Sequence, residues 1–216
     1  MQLYLFSVIY GFLAYANGNG VKEKLQIIPP SMPSFDEMAS LGRWFQQFRV
    51  TGCHYSSSDR FTYYEQNLVK FGKVLHSFDT WRNDICNTLT TRYFTTGPGV
   101  YTVKDPIGAI WSGLAIIPAT DYKTFKILYG CTKISTLGNR CDDPRLQVFT
   151  RASKPGKRLM AQIDYVLRGL FGITISELPR IRQLEQSRRA QVPLDQSQLS
   201  DSMPRIFKIV TCVGIF

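Results

Sequence analysis

The chain has 216 residues, 44 % apolar and 13 % aromatic, enough for one domain with a sizeable core, which excludes wholesale disorder. Its 26 basic and 16 acidic residues give a formal charge of +10, a balance that steers toward anionic surfaces or ligands. The basic tail has no aromatic between Phe171 and Phe207, so the stacking platforms of a nucleic-acid binder are missing.

Residues 1–16 contain no Lys, Arg, Asp or Glu and run through Leu3, Leu5, Phe6, Val8, Ile9 and Leu13 to the small-x-small step Ala14-Tyr15-Ala16. That pattern predicts a secretory signal peptide cleaved near Ala16, too short for a membrane-spanning helix. The five cysteines, Cys53, Cys86, Cys131, Cys141 and Cys212, form no C-x-x-C pair and fit an oxidising compartment better than a metal site. An odd count leaves one thiol unpaired or bridging to another chain.

From Trp44 to Arg151 short β-type runs alternate with turn residues. The expected strands are Arg43–Val50, Phe61–Lys70, Val74–Trp81, Thr88–Thr95, Gly99–Lys104, Ile110–Pro118, Thr124–Thr132 and Leu146–Arg151. Breaks such as Phe71-Gly72-Lys73, Thr96-Gly97-Pro98-Gly99 and Asp105-Pro106 separate them. Eight strands without an intervening helix predict an all-β, up-and-down antiparallel barrel.

After Pro155-Gly156 the period changes, with Leu159, Ile163, Val166, Leu167 and Leu170 at three- and four-residue steps. This predicts an amphipathic helix packed outside the barrel and stopped at Gly172. The barrel and helix are expected over 17–178, followed over 179–216 by a basic tail whose sparse apolar residues predict extended or disordered chain. Ile206 to Phe216 turn apolar again, which leaves a glycolipid-anchor signal open.

Catalytic candidates are few. The two histidines, His54 and His76, lie in neither an H-x-x-x-H nor a G-x-S-x-G pattern. Cys53 and His54 are adjacent, and neighbours on a strand point to opposite faces. No glycine-rich phosphate loop is present, and no cofactor, metal site or enzymatic activity is expected.

Three blocks carry a resemblance. Gly42 and Trp44 open the first strand, Thr120-Asp121-Tyr122 forms the turn before the seventh, and Arg151 follows the eighth. In this order and spacing they resemble the sequence blocks of the lipocalin family, over about Met32 to Ile173, most like its apolipoprotein-D-like and insect branch. The resemblance implies a barrel closed at one end, where Trp44 is the plug, Arg151 lies on its indole face and Asp121 fixes a turn. Departures accompany it. Gln47 stands where many members have Glu, Ile27-Ile28-Pro29-Pro30 where they have Cys-Pro, and Ile116 and Gln147 where Trp is often found. Cys131 must then find another partner or stay free; Cys141 is one possibility, with Cys53 reaching Cys212 in the manner of the family's second bridge.

What the resemblance implies for function is a secreted, extracellular carrier of a small hydrophobic ligand of the lipid, sterol, retinoid or pigment class. Phe61, Tyr63, Tyr93, Trp111, Phe125 and Tyr129 are candidate lining residues; their facing is open, because one residue of register turns a side chain over. An alternative is a protein-binding module that grips an acidic or anionic partner with open-end loops and basic tail. A third reading is an isomerase working through Cys86.

Overall fold

The alternating runs assemble as one closed sheet. The computed structural model describes residues 20–50, 63–82, 86–104, 112–136, 138–181 and 183, with the backbone alone for Tyr63, for 81–82 and for 86–89. The strands are β1 (Gly42–Val50), β2 (Tyr63–Phe71), β3 (Val74–Arg82), β4 (Cys86–Gly97), β5 (Val100–Lys104), β6 (Gly113–Thr120), β7 (Phe125–Cys131) and β8 (Pro144–Thr150). Each is antiparallel to its neighbour, and β8 closes back onto β1. The expected strands match within a few residues, because the turns that separate them are set by local chemistry. Gly72 and Gly99 hold positive φ in the β2–β3 and β4–β5 turns.

Alternation along the strands divides the apolar residues into two cores. Trp44, Tyr64, Leu68, Leu75, Tyr93, Tyr101, Ala115, Ile117, Leu128 and Phe149 pack inside the barrel. Phe48, Val50, Phe125, Ile127, Tyr129, Leu146 and Val148 pack on its outer face, under a helix over Lys157–Phe171. Strands β7 and β8 are buried at every position, since the interior covers one face and the helix the other.

The helix turns Ile163, Leu167 and Phe171 into that outer core and ends at Gly172, whose φ of 63° lets its N–H return to the Arg168 carbonyl. No helix among the described residues is long and apolar enough to cross a membrane.

Two terminal segments complete the wall. A helical turn over 20–24 buries Val21 and Leu25 in the outer core, where the Leu25 carbonyl accepts the Tyr129 hydroxyl at 2.9 Å. At the other terminus, the first residues of the expected tail are part of the barrel. Among the described residues the β1–β2 ladder runs from Gly42 to Phe45, and the strand edge beyond it is taken up from elsewhere. Residues 179–181 take it up: Arg49 N donates to the Pro179 carbonyl at 3.1 Å and Ile181 N to the Gln47 carbonyl at 2.8 Å. Ile181 is buried against the inner core, and the Gln183 amide reaches the carbonyls of Gln46 and of Tyr64. An exposed strand edge, rather than a local sequence signal, recruits this strap. The expected signal segment and the remainder of the expected tail lie outside the described residues.

Candidate functional site

The closed end is built by the residues of the three blocks. Trp44 is fully buried, and its indole N–H donates to the Ser40 carbonyl at 2.8 Å. The Arg151 guanidinium lies 3.6 Å from the indole ring centre and donates to the carbonyls of Arg43, Ala39 and Tyr122 at 2.9–3.3 Å. One side chain thus ties β1, the segment before it and the β6–β7 turn together across the plug. Gly42 beneath it holds φ 87°, a backbone conformation that side-chain-bearing residues rarely adopt, and so lets the chain turn into β1 at this point.

The β6–β7 turn is fixed by its own side chains. Asp121 Oδ1 accepts the backbone N–H of Lys123, Thr124 and Phe125 at 2.7–3.1 Å, and its Oδ2 accepts the Thr124 hydroxyl. Burial pushes this carboxyl up, but these hydrogen bonds outweigh burial and hold it below its ordinary range. Thr120 Oγ1 donates to the Phe125 carbonyl at 2.7 Å and accepts the Tyr122 N–H, with Tyr122 at φ 62°. The Tyr122 hydroxyl accepts the Asp36 N–H at 2.9 Å and so pins the segment that crosses the floor. Gln47, in the place of an expected carboxylate, donates to the Thr150 hydroxyl at 2.9 Å and to the Ser153 carbonyl at 3.2 Å.

Directly above the plug the interior is polar. Lys126 is buried, with its Nζ 4.8 Å from both the Trp44 and Phe149 ring centres and donating to Gln66 Oε1 at 2.7 Å. Trp44 therefore lies between two cations. Burial, with the nearby Arg151 charge, pushes the Lys126 ammonium well down, and Asp79 opposes this. Asp79, on β3, is buried as well and accepts hydroxyls from Ser77 at 2.8 Å and Thr91 at 3.3 Å. Burial pushes its carboxyl up to about 6, against bonds from Ser77, Gln66, Tyr64 and Thr91 that pull it down. A cavity of about 10 Å³ remains beside Phe35, Gln66, Tyr93, Tyr101 and Lys126, the size of a single water site. The lower barrel is filled by its own side chains.

The other end is tied by a disulfide between Cys131 and Cys141, with Cα atoms 5.8 Å apart, bridging the β7–β8 connection. Cys53, Cys212, His54, Phe61 and Trp111 lie outside the described residues. Tyr63 and Cys86 contribute described backbone only.

Among the candidate lining residues, Tyr93 faces the cavity. Phe125 and Tyr129 face the other way, into the core under the helix, where Tyr129 stacks on Phe171 at 6.1 Å. On β7 the inward positions are Lys126 and Leu128. Aromatic character had pointed to the wrong parity: a lysine between apolar residues reads as the solvent face of a strand, whereas here the helix covers the outside. Sequence reasoning also missed Gln46, Gln66, Asp79 and Lys126, each of which reads as an ordinary surface residue. The weak signal for them was their shared alternation with Trp44 and Leu128.

With this geometry in hand, solved structures give the class. The chain superposes on the cockroach major allergen Per a 4 with a TM-score of 0.58 and 15 % identity, covering 73 % of this chain and 94 % of that one. Lobster apocrustacyanin A1 matches with a TM-score of 0.54 at 14 % identity, over 74 % of this chain and 92 % of that one. Apocrustacyanin C1 matches at 0.52 and 14 %, with the same coverage of each chain. No family model and no curated protein matches the sequence. A closed eight-stranded antiparallel barrel followed by one packed helix, floored by a buried Trp under an Arg, is the lipocalin fold. At these identities the likeness is one of fold.

Proposed function

We propose that the protein is a secreted binding protein of the apolipoprotein-D-like and insect kind, which takes a small, mainly apolar molecule into the open half of its barrel. The observation that carries this reading is the sealed floor: a closed barrel stopped at one end by the Trp44–Arg151 plug, with an aromatic and aliphatic inner lining above it. A site of this shape binds by removing apolar ligand surface from water, with a few polar groups fixing orientation. Tyr93 contributes to that lining. Sequestration or transport, rather than catalysis, is the activity such a cup supports. The N-terminal signal segment and the Cys131–Cys141 bridge agree with an extracellular setting.

The test is native mass spectrometry of the protein purified from its secreting host, followed by organic extraction. A stoichiometric small molecule released by solvent is the expected result. A protein that comes out empty, and whose tryptophan emission no lipid panel alters, would end the carrier reading.

A second reading draws on the filled lower barrel. If Lys126, Asp79 and their partners occupy the space a cargo would need, the barrel is a scaffold, and its open-end loops and basic tail grip an acidic partner. The same empty protein, retained on an acidic-protein matrix in a salt-sensitive manner, would support it.

A further inference from the structure

Around Asp79 and Lys126 the inner belt is closed on itself. Lys126 donates to Gln66, and Gln66, Ser77, Thr91 and Tyr64 all bond to Asp79, so the cation and the carboxylate of this layer answer each other through one network. Gln46 stands apart from it. Its inward facing follows from register, since it is paired with Phe149, which is in turn paired with Lys126 on the inner wall. Its residue exposure is 0 %, and neither its Nε2 nor its Oε1 has a hydrogen-bond partner. Native interiors rarely leave a buried amide unpaired on both atoms, because each unmet group costs the desolvation without the bond.

We infer that Gln46 is the contact point for a neutral hydroxyl at the leading end of an amphipathic ligand, which enters the barrel head first. This rests on the reading of the barrel as a small-molecule carrier. Valence selects the group. A hydroxyl donates to Oε1 and accepts from Nε2 at the same time, whereas a carboxylate only accepts and an ammonium only donates, each leaving one amide atom orphaned. Charge balance selects it again. With Lys126 and Asp79 engaged with each other, the layer offers no spare charge to an ionic head, and burying one there carries a large desolvation cost. The apolar chain of such a ligand would lie against the shallowest part of the inner wall, on β6 and β7, and would have to displace the side chains that now fill the barrel there. Ala115 and Gly130 are cross-strand neighbours on the inner face there, above Ile117 and Leu128, and present nothing larger than a methyl group.

The experiment uses the full mature chain and its Gln46→Leu variant. The neutral fluorophore N-phenyl-1-naphthylamine reports barrel occupancy, and 1-decanol, decanoate, decylamine and decane compete for it. In the wild type, 1-decanol displaces the fluorophore at a concentration about tenfold below that of decane, the effect of one or two neutral hydrogen bonds. The Gln46→Leu variant, relieved of its orphaned amide, melts no lower than the wild type and loses the preference for the alcohol while keeping its response to decane. An alcohol preference that is absent, or that survives Gln46→Leu, overturns the inference and leaves the carrier reading intact. A preference for decanoate or decylamine overturns it in the same way. If the fluorophore and all four competitors fail to bind, the carrier reading falls and takes the inference with it.

Discussion

Arg151→Met is the substitution that most directly tests the floor. The methionine keeps the length and apolar stem of the side chain but removes the guanidinium that lies 3.6 Å from the Trp44 ring centre and binds three backbone carbonyls. The lost cation–π contact is worth about 1 kcal/mol in a partly desolvated setting. The doubly contacted Tyr122 carbonyl loses a charge-assisted pair worth about 1.5 kcal/mol. The bonds to Arg43 and Ala39 are solvent-exposed and are discounted to about half of that each, because water replaces them. The expected destabilisation is about 3–4 kcal/mol, or roughly 8–12 °C in melting temperature for a domain of this size. It is read by urea unfolding with far-UV circular dichroism and Trp emission followed together. Arg151→Lys, which retains the charge without the fork, should recover less than half of the loss. A stability for Arg151→Met within about 1 kcal/mol of wild type, against the figure built on these contacts, would refute the account of the floor as a joint held by one side chain.

Three further outcomes follow from the same physics. Replacing Cys131 by Ser opens a loop with a sequence separation of 10 and should cost about 2–3 kcal/mol, seen as an equal shift in denaturation midpoint when the wild type is reduced. Asp79 binds its proton more tightly in the folded protein, at about 6 against an ordinary 3.8, so its stabilising contribution is complete below pH 3.8 and is lost as the pH rises through 6. Asp79→Asn should therefore gain on the wild type by about 3 kcal/mol between pH 3.5 and pH 7, and denaturation curves at the two pH values measure the gap. Ile181→Ala, in the strap, should cost about 2–4 kcal/mol and speed hydrogen exchange at the Arg49 amide, whereas a tail that merely rests on the surface would lose nothing measurable.

What could be read from the sequence was what local chemistry decides. The turns at Gly72 and Gly99 and the glycine stop at 172 fix element boundaries within a few residues, so the barrel and the helix were legible. The floor was legible too, because Gly42, Trp44, Asp121 and Arg151 act through contacts that demand those residue types. The lining was harder. Its facing depends on what covers the outside of β7, and the covering helix begins some thirty residues later in the chain. Phe125 and Tyr129 are aromatic because they meet that helix, and Lys126 points inward because Gln66 and Asp79, on distant strands, make a place for it. The strap was invisible for a related reason: nothing in Pro179 to Gln183 looks like a strand, and only the edge of β1 makes it one.

That strap has a consequence for the order in which the molecule can be finished. β1 is made early, yet its neighbours are β2, β8 and residues 179–181, so one of its edges gains its last hydrogen bonds only when the chain has been synthesised almost to residue 183. Until then a nascent barrel presents an unpaired strand edge of the kind that recruits a second chain. Holding such a chain apart from its copies during synthesis is therefore a requirement set by the fold, and shortening the chain at Leu178 would make that transient state permanent.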